Sequence, residues 1–263
     1  ASVAWGTVVI AKANPHANVF VTPADHVIQN EDAYQSDILK ALEFVQDNQG
    51  LLVTGIRPGR PETGYGYVQM DDRHEVAADI YPVKSFTEKP NADFAEMFIQ
   101  EGDFLWNSGL FSFNVNVMLS NLYSLVPEYQ EEIPRMMAEA ESAIPTLVPE
   151  FFNSLPNRNV DVSILERSDH VYVQQGHFGW ADMGTWASLY EDAPADTQGN
   201  VLLNTRAFLY DCADNIIRLP DGRTAVVKGL KDYVIAEEGE ILMICPRKEV
   251  AAMRKMHTDT KFS

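Results

Sequence analysis

Val19-Phe20-Val21-Thr22-Pro23-Ala24-Asp25-His26 decides the fold class. It opens as a short apolar, β-branched run, the pattern of a strand buried on both faces of a sheet. Pro23 stops that strand because it has no N–H to give to a ladder. Asp25 therefore falls just beyond the carboxyl end of a buried strand, the edge where open α/β sheets bind ligands. Two readings of Asp25 fit the residues. It caps the turn before a helix at Asn30, or its carboxylate holds a hard cation beside a phosphate.

Working outward, Ser2 to Ala13 reads as a short amphipathic helix, with Ala4, Val8 and Ala11 at helical spacing. Asn30 reads as an N-cap with Glu31 and Asp32 in the first turn, and Gly50 as the residue that ends the helix. Leu51 to Gly55 is the next strand, and this β-α-β succession predicts a parallel sheet with crossover helices. Tyr67 to Met70 and Ile80 to Thr87 read as strands, paired as a hairpin around Asp71-Asp72-Arg73-His74. Asn91 caps a helix that carries Phe94, Met97 and Phe98 on one face and closes at Gly102. Leu105 to Phe113 is a strand broken by Asn107-Ser108-Gly109. Several short helices follow from about Val115 to Leu155, interrupted by Pro127, Pro134, Pro145 and Pro149. Val162 to Glu166 is a helical piece and His170 to Gln175 a strand.

After Pro194 the texture changes to short β-rich runs with turns between them, starting at Val201, Ala207, Ile216, Ala225, Tyr233 and Ile241. They repeat too loosely to assign a period. A basic helix from Arg247 to about Met256 ends the chain. The division expected is residues 1–194 as an α/β domain and 195–263 as a small β-rich domain.

The 263 residues are 46% apolar, enough for a large core, and carry a net charge of −18. That charge argues against nucleic acid or an anionic membrane surface as the main partner. A phosphorylated ligand needs only local cations and backbone donors. Cys212 and Cys245 have no metal spacing and read as buried free thiols. With no signal peptide and no bilayer-spanning apolar run, a cytoplasmic location is expected.

Besides Asp25, three segments have unusual composition. In Glu62-Thr63-Gly64-Tyr65-Gly66-Tyr67 the glycines let backbone approach a ligand and the tyrosines offer flat faces to a sugar; an ordinary turn fits equally. In Phe86-Thr87-Glu88-Lys89-Pro90 with Trp106-Asn107-Ser108-Gly109, a Glu and an Asn can accept from and donate to hydroxyls. Lys89 can meet a phosphate, although a solvated Glu88–Lys89 pair is the commoner use of such residues. In Gly179-Trp180-Ala181-Asp182-Met183-Gly184-Thr185-Trp186, Trp186 starts a helix. Asp182 caps that helix or is a second metal carboxylate. His26 and His177 read as structural rather than as bases. No nucleophile–base set is visible, so the chemistry read from these residues is positioning plus Mg²⁺.

Together the four segments resemble the bacterial mannose-1-phosphate guanylyltransferases, within the sugar-nucleotide pyrophosphorylase superfamily. The resemblance runs from Ser2 to about Met256. Phe86–Pro90 is common to the superfamily, whereas Trp106–Phe111 and Gly179–Trp186 are more specific to the mannose/GDP branch. It implies a Rossmann-like nucleotidyltransferase (GT-A-like) mixed sheet with a C-terminal left-handed β-helix-like domain. It implies Asp25 and Asp182 as Mg²⁺ ligands and Lys89 on the sugar phosphate. It implies Gly64 at the sugar phosphate or sugar, Glu88 and Asn107 on the mannose hydroxyls, and Tyr65, Ser108 and Gly109 as further substrate-binding residues. GTP and mannose 1-phosphate are the substrates implied, GDP-mannose the product, and a homodimer the expected assembly. The family's Gly-rich nucleotide-binding loop has no counterpart here. An N-terminally incomplete catalytic domain, inactive alone, is the expectation that follows.

Overall fold

The computed structural model describes residues 1–139, 149–153, 158–184 and 186–252. The expectations at Pro145 and beyond Ala252 lie outside these. The chain forms two units: Ala1–Ala24 with Ile28–Trp180, and Asp25–Val27 with Ala181–Ser263. By packing, the chain passes from the first unit to the second at Trp180/Ala181, ahead of the compositional change at Pro194. Tertiary packing assigns α6 (Trp186–Asp192) to the β-rich part, because Trp186, Leu189 and Tyr190 lie on its core.

In the first unit α1 (Ser2–Ala13), β1 (Asn18–Val21), α2 (Glu31–Asp47) and β3 (Leu51–Ile56) follow in the expected order; a short strand not read from the sequence, β2 (His26–Ile28), falls between β1 and α2 along the chain, with His26 and Val27 in the second unit. The Asn30 side chain caps α2 by accepting from the Ala33 N–H at 3.1 Å. Gly50 does not end that helix. Asn48 does, in extended conformation, with its side-chain amide donating back to the Phe44 carbonyl at 2.8 Å. Gly50 is instead pressed against Tyr172, whose ring lies 2.7 Å from where a Cβ would stand.

The remaining strands are β4 (Tyr67–Met70), β5 (Ile80–Thr87), β6 (Phe104–Asn114) and β7 (Val171–Gly176), in sheet order β1-β6-β3-β7-β5-β4. β4 and β5 pair antiparallel as the hairpin reading expected. The simple parallel sheet is corrected. β1 and β3 are not neighbours, because β6 lies between them and runs antiparallel to both. The sheet is mixed, with β3 and β7 the parallel pair.

β6 is continuous, not broken, but it is irregular where the break was read. Leu52 and Val53 pair with Ser112 and Phe111, then Gly55 and Ile56 pair with Asn107 and Trp106. β6 thus carries two more residues than β3 across this interval, a bulge. Gly109 takes the left-handed conformation there, at φ 73°. β6 also changes its second neighbour across the bulge, from β4 before it to β1 after it.

Alternate residues of β3 face opposite cores. Leu51 and Val53 join Ala4, Val8, Met118 and Leu122 from α1 and α4 (Val115–Leu125). Leu52 joins Ala41, Phe44 and Val45 of α2. α3 (Ala92–Glu101) is capped by Asn91 and closed by Gly102 as expected. Its inward face is Ala95 and Phe98, while Phe94 and Met97 are exposed. Pro134 lies inside α5 (Tyr129–Ala138) without ending it. Among the described residues no helix is long and apolar enough to cross a membrane.

The second unit is a stack. Ile216 of β11 (Ile216–Arg218) pairs in parallel with Val201 of β9 (Val201–Leu203), fifteen residues earlier, and with Val234 of β13 (Tyr233–Glu238), eighteen residues later. β10 (Arg206–Tyr210) and β12 (Thr224–Lys228) stack in parallel eighteen residues apart. These unequal steps are why no period showed in the sequence. β14 (Ile241–Pro246) closes on β13 antiparallel. Arg247–Ala252 is a 3₁₀ turn rather than the start of an α-helix.

Asn200 and Asn215 stitch the stack internally. The Asn215 amide donates to Asn200 Oδ1 and to the Leu230 carbonyl, both at 2.9 Å, and its Oδ1 accepts from the Tyr233 N–H at 3.0 Å. Asn215 is fully buried, so its partners have no water to turn to. Asn215→Ala is expected to lower stability by on the order of 3 kcal/mol in urea melts, since several buried polar groups lose partners at once.

Candidate active site

The Glu88 cluster lies in the first unit. β5 ends at Thr87 and turns through Glu88 and Lys89. Lys89 takes the left-handed conformation, φ 45°, a strained choice for a residue with a Cβ. Its Nζ sits 3.0 Å from Glu88 Oε1. Gly66 lies against the other carboxylate oxygen: a Cβ on it would stand 2.8 Å from Glu88 Oε2 and 3.5 Å from Asn107 Cβ. The Gly66 carbonyl accepts from the Asn107 N–H at 2.8 Å. Gly66, Glu88 and Asn107, from three segments, therefore meet at one place, beside Lys89. Gly64 is held close by, its N–H donating to Glu62 Oε1 at 2.7 Å, while Glu62 Oε2 pairs with Arg60 at 3.1 Å.

Three of the residues read as substrate-binding make structural contacts within the first unit. Tyr65 is buried and its ring packs edge-on to Trp106 and Trp180, so it presents no open face to a sugar. Ser108 is 2% exposed. Its hydroxyl donates to the Thr54 carbonyl at 2.6 Å and accepts from the Leu110 N–H at 3.2 Å, replacing ladder bonds lost at the bulge. Gly109 supplies the bulge conformation, and its N–H donates to Asn107 Oδ1 at 3.2 Å.

Asp161 was not singled out in the sequence. It opens a short π-helical turn, Asp161–Leu165, and its Oδ1 accepts from Asn107 Nδ2 at 2.8 Å. Burial, then the charge of Glu88, holds its carboxyl above the ordinary carboxylate range against the Asn107 bond. Partial desolvation, then Glu88 and Asp161, raises Glu166 likewise. No local motif marks Asp161. Only the fold brings it to Asn107, fifty-four residues away in sequence.

Asp25, His26 and Asp182 form a second set, in the second unit. Burial lowers the His26 pKa, opposed by the charges of Asp182 and of Asp25, so both carboxylates lie within electrostatic reach of one imidazole. Asp25 lies in the bend between β1 and β2, and Asn30 caps α2 as expected. Asp182 ends β8 (Trp180–Asp182), which pairs with β2, and its Oδ1 accepts from the Gly184 N–H at 2.7 Å. It closes a turn ahead of α6, which does begin at Trp186. Among the described residues no group of three or more His, Cys, Asp or Glu has metal-site geometry. Two carboxylates fit a cation such as Mg²⁺, which takes its other ligands from water and phosphate.

Two stability effects follow. Ser108→Ala should cost about 1–3 kcal/mol in denaturant melts, by leaving the buried Thr54 carbonyl without its donor. Asp161→Asn should do the opposite at neutral pH. The folded pKa of Asp161 lies above the unfolded one, so wild type takes up a proton on folding between them and loses stability as pH rises through that window. The Asn variant removes this term. Its Tm should exceed that of wild type at pH 7, with the gap closing toward about pH 4.

Residues 1–199 match the nucleotidyl transferase family. A putative mannose-1-phosphate guanylyltransferase of Vibrio cholerae is 33% identical over 90% of this chain and 50% of its own length. The mannose-1-phosphate guanylyltransferase RfbM of Salmonella typhimurium is 32% identical over 90% of this chain and 49% of its own. The chain thus spans about half the length of these curated relatives. A crystal structure described as a mannose-1-phosphate geranyltransferase from Thermus thermophilus superposes with a TM-score of 0.81 at 26% identity, covering 98% of this chain and 73% of that one. With its mixed α/β sheet, its C-terminal β-rich unit and a family match across three quarters of its length, the chain belongs to the nucleotidyl transferase family.

Proposed function

We propose that this chain carries out, within its natural reading frame, the transfer of GMP from GTP to mannose 1-phosphate, giving GDP-mannose and pyrophosphate. The observation that carries this reading is the meeting of Gly66, Glu88 and Asn107 beside Lys89, in a chain whose relatives bear that activity in their names.

Glu88 accepts from sugar hydroxyls, and the Asn107 amide both donates and accepts. Gly66, having no Cβ, leaves Glu88 room against the backbone. Lys89 is exposed and meets the sugar phosphate as a point charge. A phosphate oxygen of the sugar phosphate attacks the α-phosphorus of GTP in line, and the bond to pyrophosphate breaks. The sugar phosphate is itself the nucleophile, so no side chain is needed to form a covalent intermediate. Asp25 and Asp182 hold the metal. Mg²⁺, when bound there, neutralises charge on the reacting phosphates. An acidic chain manages two anionic substrates in this way with local cations alone.

The test is pyrophosphate release by the natural reading frame containing this sequence, across sugar 1-phosphates and nucleoside triphosphates. Turnover is expected with mannose 1-phosphate and GTP, falling roughly 100-fold or more in Asp25→Ala and Asp182→Ala. Gly66→Ala should raise the KM for mannose 1-phosphate about tenfold at unchanged GTP KM, by displacing the Glu88 carboxylate by an amount worth about one hydrogen bond. Turnover with glucose 1-phosphate and UTP or dTTP instead would overturn the substrate assignment. Tight GDP-mannose binding without turnover would make the protein a binding subunit. The isolated 263-residue chain is expected to show no turnover, and pyrophosphate release from it would refute that.

A further inference from the structure

An asparagine amide at a sugar site has a weakness: its oxygen and nitrogen ends are nearly the same shape, and a half-turn about the last bond exchanges donor for acceptor. Asn107 is held against that exchange at both ends. Its Nδ2 donates to Asp161 Oδ1 at 2.8 Å, and its Oδ1 accepts from the Gly109 N–H at 3.2 Å. An ionised carboxylate only accepts and a backbone N–H only donates, so the opposite orientation would face two like groups. With those two bonds made, Asn107 keeps one N–H and one lone pair, a donor and an acceptor for neighbouring hydroxyls.

Asp161 is itself anchored. Its N–H donates to Asn159 Oδ1 at 2.8 Å, and Ile164 and Leu165, later in the same π-helical turn, are each 1% exposed in the core. Single π turns of this kind are often found at functional sites. Asp161 also lies close enough to Glu88 for like-charge repulsion.

We propose that Asp161 is a positioning residue for the sugar phosphate, acting through Asn107 by fixing the direction of its amide. This rests on the reading of Glu88 and Asn107 as the sugar-binding groups.

The natural reading frame is titrated with mannose 1-phosphate by calorimetry, and the Asn107 side-chain NH₂ signal is followed by ¹H–¹⁵N NMR. Asn107→Ala and Asp161→Ala should each weaken binding about tenfold, the worth of roughly one hydrogen bond. The double variant should be no weaker than either single one, because both changes remove the same interaction. Asp161→Asn, whose carbonyl can still accept from Asn107, should return affinity to within about threefold of wild type. In the unliganded protein the Asn107 NH₂ signal should move in Asp161→Ala and hold in Asp161→Asn. If Asp161→Ala does not fold, Asp161→Ser, too short to reach Asn107, takes its place. Asn107→Ala weakened with Asp161→Ala at wild-type affinity overturns the positioning role alone, as do additive losses in the double variant. Asn107→Ala at wild-type affinity, or no binding by wild type, overturns the sugar-site reading itself.

Discussion

The bulge in β6 is the constraint on which the first unit depends. Two extra residues against β3 let one strand pair with β4 on its first half and β1 on its second. Such a break strands backbone groups in a dry interior, and the molecule resolves this locally. The Ser108 hydroxyl takes the Thr54 carbonyl and receives the Leu110 amide, while Gly109 supplies the left-handed turn that L side chains resist. The same irregularity sets Asn107 against Asp161 and Gly66, where a regular ladder would carry on past them. Core stability and site geometry are therefore solved by the same few residues.

Electrostatics at the Glu88 cluster runs against stability. A chain with a net charge of −18 places Asp161 and Glu166 near Glu88, and both are held above their ordinary pKa. Lys89, paired to Glu88, reaches it from a strained backbone conformation. Strain and unfavourable charge in one small region are costs that folding does not relieve, and they support the proposed sugar site. In the second unit the balance is reversed. Asn200 and Asn215 bond to one another and to neighbouring backbone between short strands whose apolar residues form two buried clusters.

Much of this was legible from local chemistry. Asn30 and Asn91 cap helices and Gly102 ends one, because capping depends on a side chain and its own next turn. The six short strands after Pro194 stand where the β-branched runs put them. The readings that failed each depended on a distant partner. Gly50 is small for the sake of Tyr172, not of its helix. Tyr65 and Ser108, in segments that look like binding loops, turn inward to Trp106 and Thr54. Asp161 carries no local motif and meets Asn107 only through a contact fifty-four positions away.

The sequence by itself determined the succession of elements, the family resemblance, and the residue types at Asp25, Glu88, Lys89, Asn107 and Asp182. These follow from periodicity, capping and short motifs, which act over a few residues. Only the tertiary structure decided that β6 separates β1 from β3, that α6 packs on the β-rich core, and which motif residues are buried. Strand order and burial are long-range quantities. They are set by which apolar faces find one another once the chain collapses, and no window of local sequence contains that information.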